Sequence, residues 1–203
     1  MWSGAIGKAG DPSIYFDARF NAEVAKIYPG QYFVTDRDMV LTTVLGSCVS
    51  ACIRDPRAGV GGMNHFLLPQ TVGDVGPASR SARYGSYAME VLINALLRLG
   101  GSKNSMEAKI FGGGSVLRDL RTAAVGESNA RFIVEYLEKE GIRVAAKDLR
   151  DACARKIYFF PESGRVMVKK LRHLQNDTVL ARELDYSRQL QRIELSGEVE
   201  LFK

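Results

Sequence analysis

Only two histidines and three cysteines occur among the 203 residues of this chain, so any mechanism needing a dense set of metal ligands or a disulfide framework starts short of material. Three is an odd number, and a secreted disulfide scaffold would carry an even and denser set, so free thiols in a reducing compartment are expected. No stretch approaches the ~18 consecutive apolar residues of a membrane helix. The opening "MWSGAIGKAGDPS" also lacks the basic-then-apolar order of a secretory signal. A soluble, cytoplasmic protein without membrane insertion is the expectation. The formal charge of +5 is spread over Lys and Arg residues interleaved with acids, which argues against a nucleic-acid-binding arm. An affinity for acidic protein surfaces would fit the same balance. Internal repeats and low-complexity tracts are missing too.

Apolar residues make up 46% of the chain, enough for a sizeable core. Residues 1–29 are rich in Gly, Pro and Ala with weak periodicity and read as an extension. "QYFVT" and "MVLTTVLG" read as strands, followed by a hairpin from Val49–Ile53 to Val60–Leu68 around the turn "DPRAG". After the Gly-rich stretch Thr71–Ser81, apolar residues from Tyr84 to Leu99 recur at spacings of three and four, and Gly100 and Gly101 stop that helix. "AKIFGGG" reads as a short buried strand. A second helix is expected from Ser128, as N-cap, to Gly141. "IRVAAKDL" then gives a strand, and "KIYFF" and "RVMVKKL" flank "PESG" as another hairpin. Residues 172–203 are mainly polar, with an amphipathic helix over Val179–Ile193. Strands outnumber helices and mix with them irregularly, which predicts an α+β fold: a layered β-sheet sandwich with flanking helices.

The stretch "TTVLGSCVSACIRDPRAGVGGMNHFLLP" holds Cys48, Cys52 and His65. If its turn centres between Pro56 and Arg57, Cys48 faces His65 across the hairpin. Centred on Arg57, Cys48 faces Phe66 and the imidazole lies on the other side. Sequence leaves that half-residue open. A paired imidazole lowers a thiol's pKa from ~8.5, but full ionisation gains only about tenfold. The larger effect must come from donors aimed at an oxyanion, worth about 2.7 to 4 kcal/mol each. Gly46 permits close backbone approach, leaving the Cys48 amide and the Ser47 hydroxyl as candidate donors.

The unreactive reading is that buried cysteines behave as small hydrophobes, which fits Cys52 and Cys153. Cys48, Cys52, His65 and Cys153 could instead supply four zinc ligands, but C-x3-C on a strand lacks the tight turn of a zinc knuckle. "GGGS" at Gly112–Ser115 lacks the Gly-Lys-Ser/Thr ending of a phosphate loop, so tight packing is its expected use.

At these residues the chain resembles the CheD family of chemoreceptor glutamine deamidases. The likeness runs through "YPGQYFVT", "TTVLGSCVSACIRDP", "GGMNHFLLP", "RYGSYAMEVLINALLRLG", "KIFGGG", "VGESNARF" and "ARKIYFFPESGRVMVKKL". It implies a deamidase domain over 30–171 with extensions at 1–29 and 172–203, in an α+β fold related to toxin-type cysteine deamidases. It also implies Cys48 as nucleophile, His65 as general base and acid, and Thr42 as the residue positioning the histidine, with no cofactor or metal. The implied partners are the helical cytoplasmic domain of a chemoreceptor as substrate and a CheC-type CheY phosphatase. One departure stands out: "DLRDACARKIYF" keeps Arg155 but lacks the glycines that family members often carry before the last hairpin. An inactive relative acting as a binding module is the alternative, and the presence of Thr42, Cys48 and His65 together argues against it.

Overall fold

The computed structural model describes residues 2–5, 12–69, 79–115, 120–171 and 176–192. Two mixed sheets stack face to face, which matches the α+β sandwich read from the sequence. The larger sheet has the order β1 (Trp2–Ala5), β4 (Gln31–Thr35), β7 (Val60–His65), β6 (Val49–Asp55), β8 (Glu107–Gly112) and β9 (Arg143–Leu149). The smaller runs β11 (Arg165–Leu171), β10 (Ala154–Phe160), β5 (Val40–Leu45), β3 (Ala22–Lys26) and β2 (Ser13–Asp17). Helices α1 (Arg80–Arg98) and α2 (Leu120–Lys139) cover the outer face of the larger sheet, and α3 (Asn176–Arg192) follows the last strand. Among the described residues no helix is long and apolar enough to cross a membrane.

Alternation along the strands decides what meets what. On β7, Asn64 turns toward α1, where its amide donates to the Ala88 carbonyl at 3.0 Å, so its neighbours Met63 and His65 face the smaller sheet. On β5, Leu41 and Leu45 join the main core, and Thr43 shares their face. Val40 belongs to a separate cluster with Val24 and Tyr158 on the outer side, and Thr42 shares that face. The site therefore forms between the sheets, where β5 and β7 approach. α1 is capped by the Ser79 side chain, which accepts from the Ala82 amide.

Two expectations differ from the structure, and a third lies outside the described residues. Residues 1–29, read as an extension, supply β1, β2 and β3 to both sheets. β2 is an edge strand with mostly exposed side chains, so it carries no buried face for a periodicity search to detect. α2 begins at Leu120, well before Ser128, because a helical turn containing Gly126 lies against the carbonyls of Gly113 and Gly114. The Gly-rich stretch expected as a loop falls mainly on residues 70–78, outside the described residues, as does "EVELF" near the end of the chain.

The β6–β7 turn is fixed by Asp55. Its carboxylate accepts from the amides of Arg57 (2.9 Å) and Ser102 (2.8 Å) and from the Ser105 hydroxyl (2.7 Å), tying the turn to the loop after α1. Burial opposes its ionisation, but these donors together outweigh that and hold the carboxyl below its usual range. A depressed folded-state pKa stabilises fully above the unfolded value near ~3.9 and is lost as pH falls through the folded one. Asp55→Asn is expected to cost about 1–3 kcal/mol at pH 7 in urea unfolding, with the gap to the parent chain closing below about pH 4.

Candidate active site

Cys48 leaves the loop Gly46–Ser47 just before β6, and three outward ties fix that loop. The Gly114 amide donates to the Gly46 carbonyl (2.7 Å), the Asn129 amide group to the Ser47 carbonyl (3.0 Å), and the Gly113 amide to the Cys48 carbonyl (2.8 Å). With the carbonyls drawn outward, the amides of Gly46, Ser47 and Cys48 turn inward and converge, a backbone nest suited to an anion. "GGGS" thus acts by close packing, as expected. Gly112, at φ +109, sits where an added Cβ would lie 2.1 Å from the Cys48 carbonyl oxygen.

The nest is occupied by a side chain from α3. The Glu183 carboxylate accepts from the amides of Gly46 (2.8 Å), Ser47 (2.9 Å) and Cys48 (3.1 Å), and from the Ser47 hydroxyl (2.7 Å). Cys48 Sγ, a ring nitrogen of His65 and a Glu183 oxygen all lie within 4.8 Å of one another. This is the one such grouping of possible metal ligands among the described residues, and neither Cys52 nor Cys153 joins it. The four donors already engage the lone pairs of both Glu183 oxygens, which makes the carboxylate a poor ligand. The four-residue zinc set is not assembled.

Register explains how Cys48 and His65 meet. Cys52 pairs with Met63 and Val49 with Phe66, so the turn centres between Arg57 and Ala58 rather than at either expected position. The Gly59 amide closes the turn on the Asp55 carbonyl, with Gly59 at φ +70. Extended by one residue, that register sets Leu67 opposite Cys48. His65 is then a diagonal neighbour, and because this register differs by two residues from the one centred between Pro56 and Arg57, both side chains stay on one face.

Thr43, not Thr42, touches the imidazole. Its hydroxyl has one proton, which goes to the Ile27 carbonyl (2.7 Å), so it accepts at His65 Nδ1 (2.8 Å). That places the ring proton on Nδ1 and leaves Nε2 with a lone pair, buried and without a hydrogen bond. Thr42, on the opposite face, donates to the Ile157 carbonyl at 2.8 Å. Burial, followed by the nearby Glu183 charge, pushes the Cys48 thiol well up, while burial pushes His65 down against the pull of Glu183. Thiol and neutral imidazole face each other in this state. An imidazole with a free Nε2 beside a thiol can take its proton, and the amides of Gly46 and Cys48, which meet at one Glu183 oxygen, can hold a developing oxyanion.

Known proteins resemble the chain over nearly its whole length. A "Probable chemoreceptor glutamine deamidase CheD" of Herminiimonas arsenicoxydans is 54% identical over 191 residues, 94% of each chain. One from Methylobacillus flagellatus is 55% identical over 192 residues, 94% of this chain and 95% of that one. The family model described as CheD chemotactic sensory transduction matches residues 67–170. The chain belongs to the CheD family. Among solved structures, Bacillus licheniformis hypothetical protein YfiH covers 59% of this chain and 49% of that one, at 17% identity and TM-score 0.35.

In this CheD chain the structure brings together Cys48, His65, Gly46 and Ser47, four of the five residues singled out from the sequence. Thr42 is replaced by its neighbour Thr43, and Glu183 was not foreseen. The missing glycines before the last hairpin also find an account. Arg150 and Asp151 take φ of 69 and 82, the left-handed region where glycine is at ease. The fully buried Arg155 guanidinium holds that bend by donating to the Asp148 carboxylate at 2.7 Å and to the Arg150 carbonyl.

Proposed function

We propose that this CheD chain hydrolyses glutamine side chains of chemoreceptors to glutamate, with Cys48 as nucleophile and His65 as base and acid. The observation that carries this reading is the Thr43–His65–Cys48 constellation beside three converging backbone amides. His65 Nε2 takes the thiol proton as Sγ attacks the amide carbon, and the carbonyl oxygen becomes an oxyanion held by the amides of Gly46 and Cys48, which share one Glu183 oxygen. The imidazolium returns its proton to the departing nitrogen, the C–N bond breaks, and ammonia leaves behind a thioester. His65 then deprotonates water, which attacks the thioester and releases glutamate and the free thiol. A cleft lined by Tyr28, Pro29, Thr43, His65 and Glu183 borders the ring, and water for the second step would enter there once a substrate side chain has taken the place of Glu183.

Each new carboxylate adds negative charge to a receptor helix, where like-charged neighbours repel by a few tenths of a kcal/mol per pair, enough in sum to bias a receptor poised between two states. With a purified receptor cytoplasmic fragment, the chain is expected to release ammonia and add about 1 Da per converted site as NH2 becomes OH. Cys48→Ala is expected to reduce both to the uncatalysed level. Undiminished conversion by that variant would remove Cys48 as nucleophile.

A further inference from the structure

The helix that fills the site carries the chemical group the reaction makes. A glutamate side chain is what a deamidated glutamine becomes, and the Glu183 carboxylate sits on the same backbone amides that would receive the reacting carbonyl. We propose that α3 is a resident product analogue: on the deamidase reading above, its Glu183 occupies the cradle in place of a substrate side chain and holds the site shut until a receptor helix displaces it.

Three observations support this. First, a negative charge beside Cys48 opposes the thiolate that attack requires, so a permanent Glu183 would work against the nucleophile. Second, α3 is held by a narrow stripe. Of the side chains from Ala181 to Leu190, only Glu183, Tyr186 and Leu190 are buried, at spacings of three and four that place them on one face. Third, the stripe has a prepared bed. Tyr186 lies over Gly30, where an added Cβ would come within 2.7 Å of its ring, and its hydroxyl meets that of Tyr84. Arg80 donates to the Leu190 carbonyl at 2.8 Å. A receptor helix entering by this groove in the same direction would present its glutamine with apolar side chains three and seven residues further on.

The test uses the full chain. Tyr186→Ala/Leu190→Ala should raise the rate at which iodoacetamide alkylates Cys48, relative to buried Cys52, by about tenfold or more, the least that losing two apolar anchors implies. Receptor deamidation should rise with it. An unchanged Cys48/Cys52 ratio would overturn the proposal, and so would faster alkylation with slower deamidation, since Glu183 would then belong to the working site. The second variant, Glu183→Gln, places an amide on the cradle. Attack by Cys48, loss of ammonia and hydrolysis should return it to glutamate, a gain of about 1 Da at that residue that Cys48→Ala prevents. A glutamine that persists in a chain still active on receptor would show that the carboxylate does not occupy the reacting position. Absence of receptor deamidation by the parent chain itself, with the alkylation difference intact, would sink the deamidase reading while leaving the occupancy of the site standing.

Discussion

Gly112→Ala is expected to destabilise the chain by about 3 kcal/mol or more, lowering Tm by roughly 6–12 °C for a chain of this size. Two costs add. The backbone there has φ +109, and the new Cβ would lie 2.1 Å from the Cys48 carbonyl oxygen and 3.0 Å from Val49 Cα, both backbone atoms. Relief requires moving the Cys48 loop, which would break the Gly113–Cys48 bond of 2.8 Å and turn the amide nest away. Gly59→Ala is the control. Its φ is +70 with nothing within 4 Å of an added Cβ, so it should cost only about 1 kcal/mol of backbone strain. Thermal melts of the two variants settle the matter, and equal losses would show that the clasp on Cys48 is not the sensitive contact.

His65→Gln is expected to cut receptor deamidation by about 10²- to 10⁴-fold, because the side-chain amide keeps some polarity but cannot accept the thiol proton. Thr43→Val should leave the base in place but free the ring to turn, for a loss of about 10- to 100-fold, mainly in kcat. Thr43→Ser, which keeps the hydroxyl, should recover most of it. Thr42→Val removes only the 2.8 Å bond to the Ile157 carbonyl and should cost about 1 kcal/mol of stability with activity near that of the parent chain. The pair of neighbouring threonines makes the assay diagnostic: a larger kcat loss at Thr42 than at Thr43 would contradict the hydrogen bond to His65 Nδ1.

Much of the fold was legible because alternation and helical spacing are local. The strands from Gln31 to His65, both later hairpin strands and the apolar face of α1 show in such patterns, and the Asp-Pro and Gly residues of the turns have backbone reasons to be there. Edge strand β2 is instead betrayed only by the β-favouring run "SIYF", since it has no buried face to alternate with a polar one. Cys48 and His65 share one face because the observed register lies two residues from the one that sets them directly opposite, and a shift of two preserves the alternation while a shift of one destroys it.

The amino-acid order alone determined which groups could react: a thiol after a Gly-Ser turn, and an imidazole on the returning strand of the same hairpin. Which threonine holds that imidazole depended on the face of β5 that turns toward β7, a matter of how two sheets stack, since Thr42 and Thr43 are equally good strand residues. Glu183 reaches the Cys48 amide across 135 positions of chain, and no local pattern records such a contact. Proximity between residues far apart in sequence arises only when the whole core is assembled, and that is where the occupant of this site was decided.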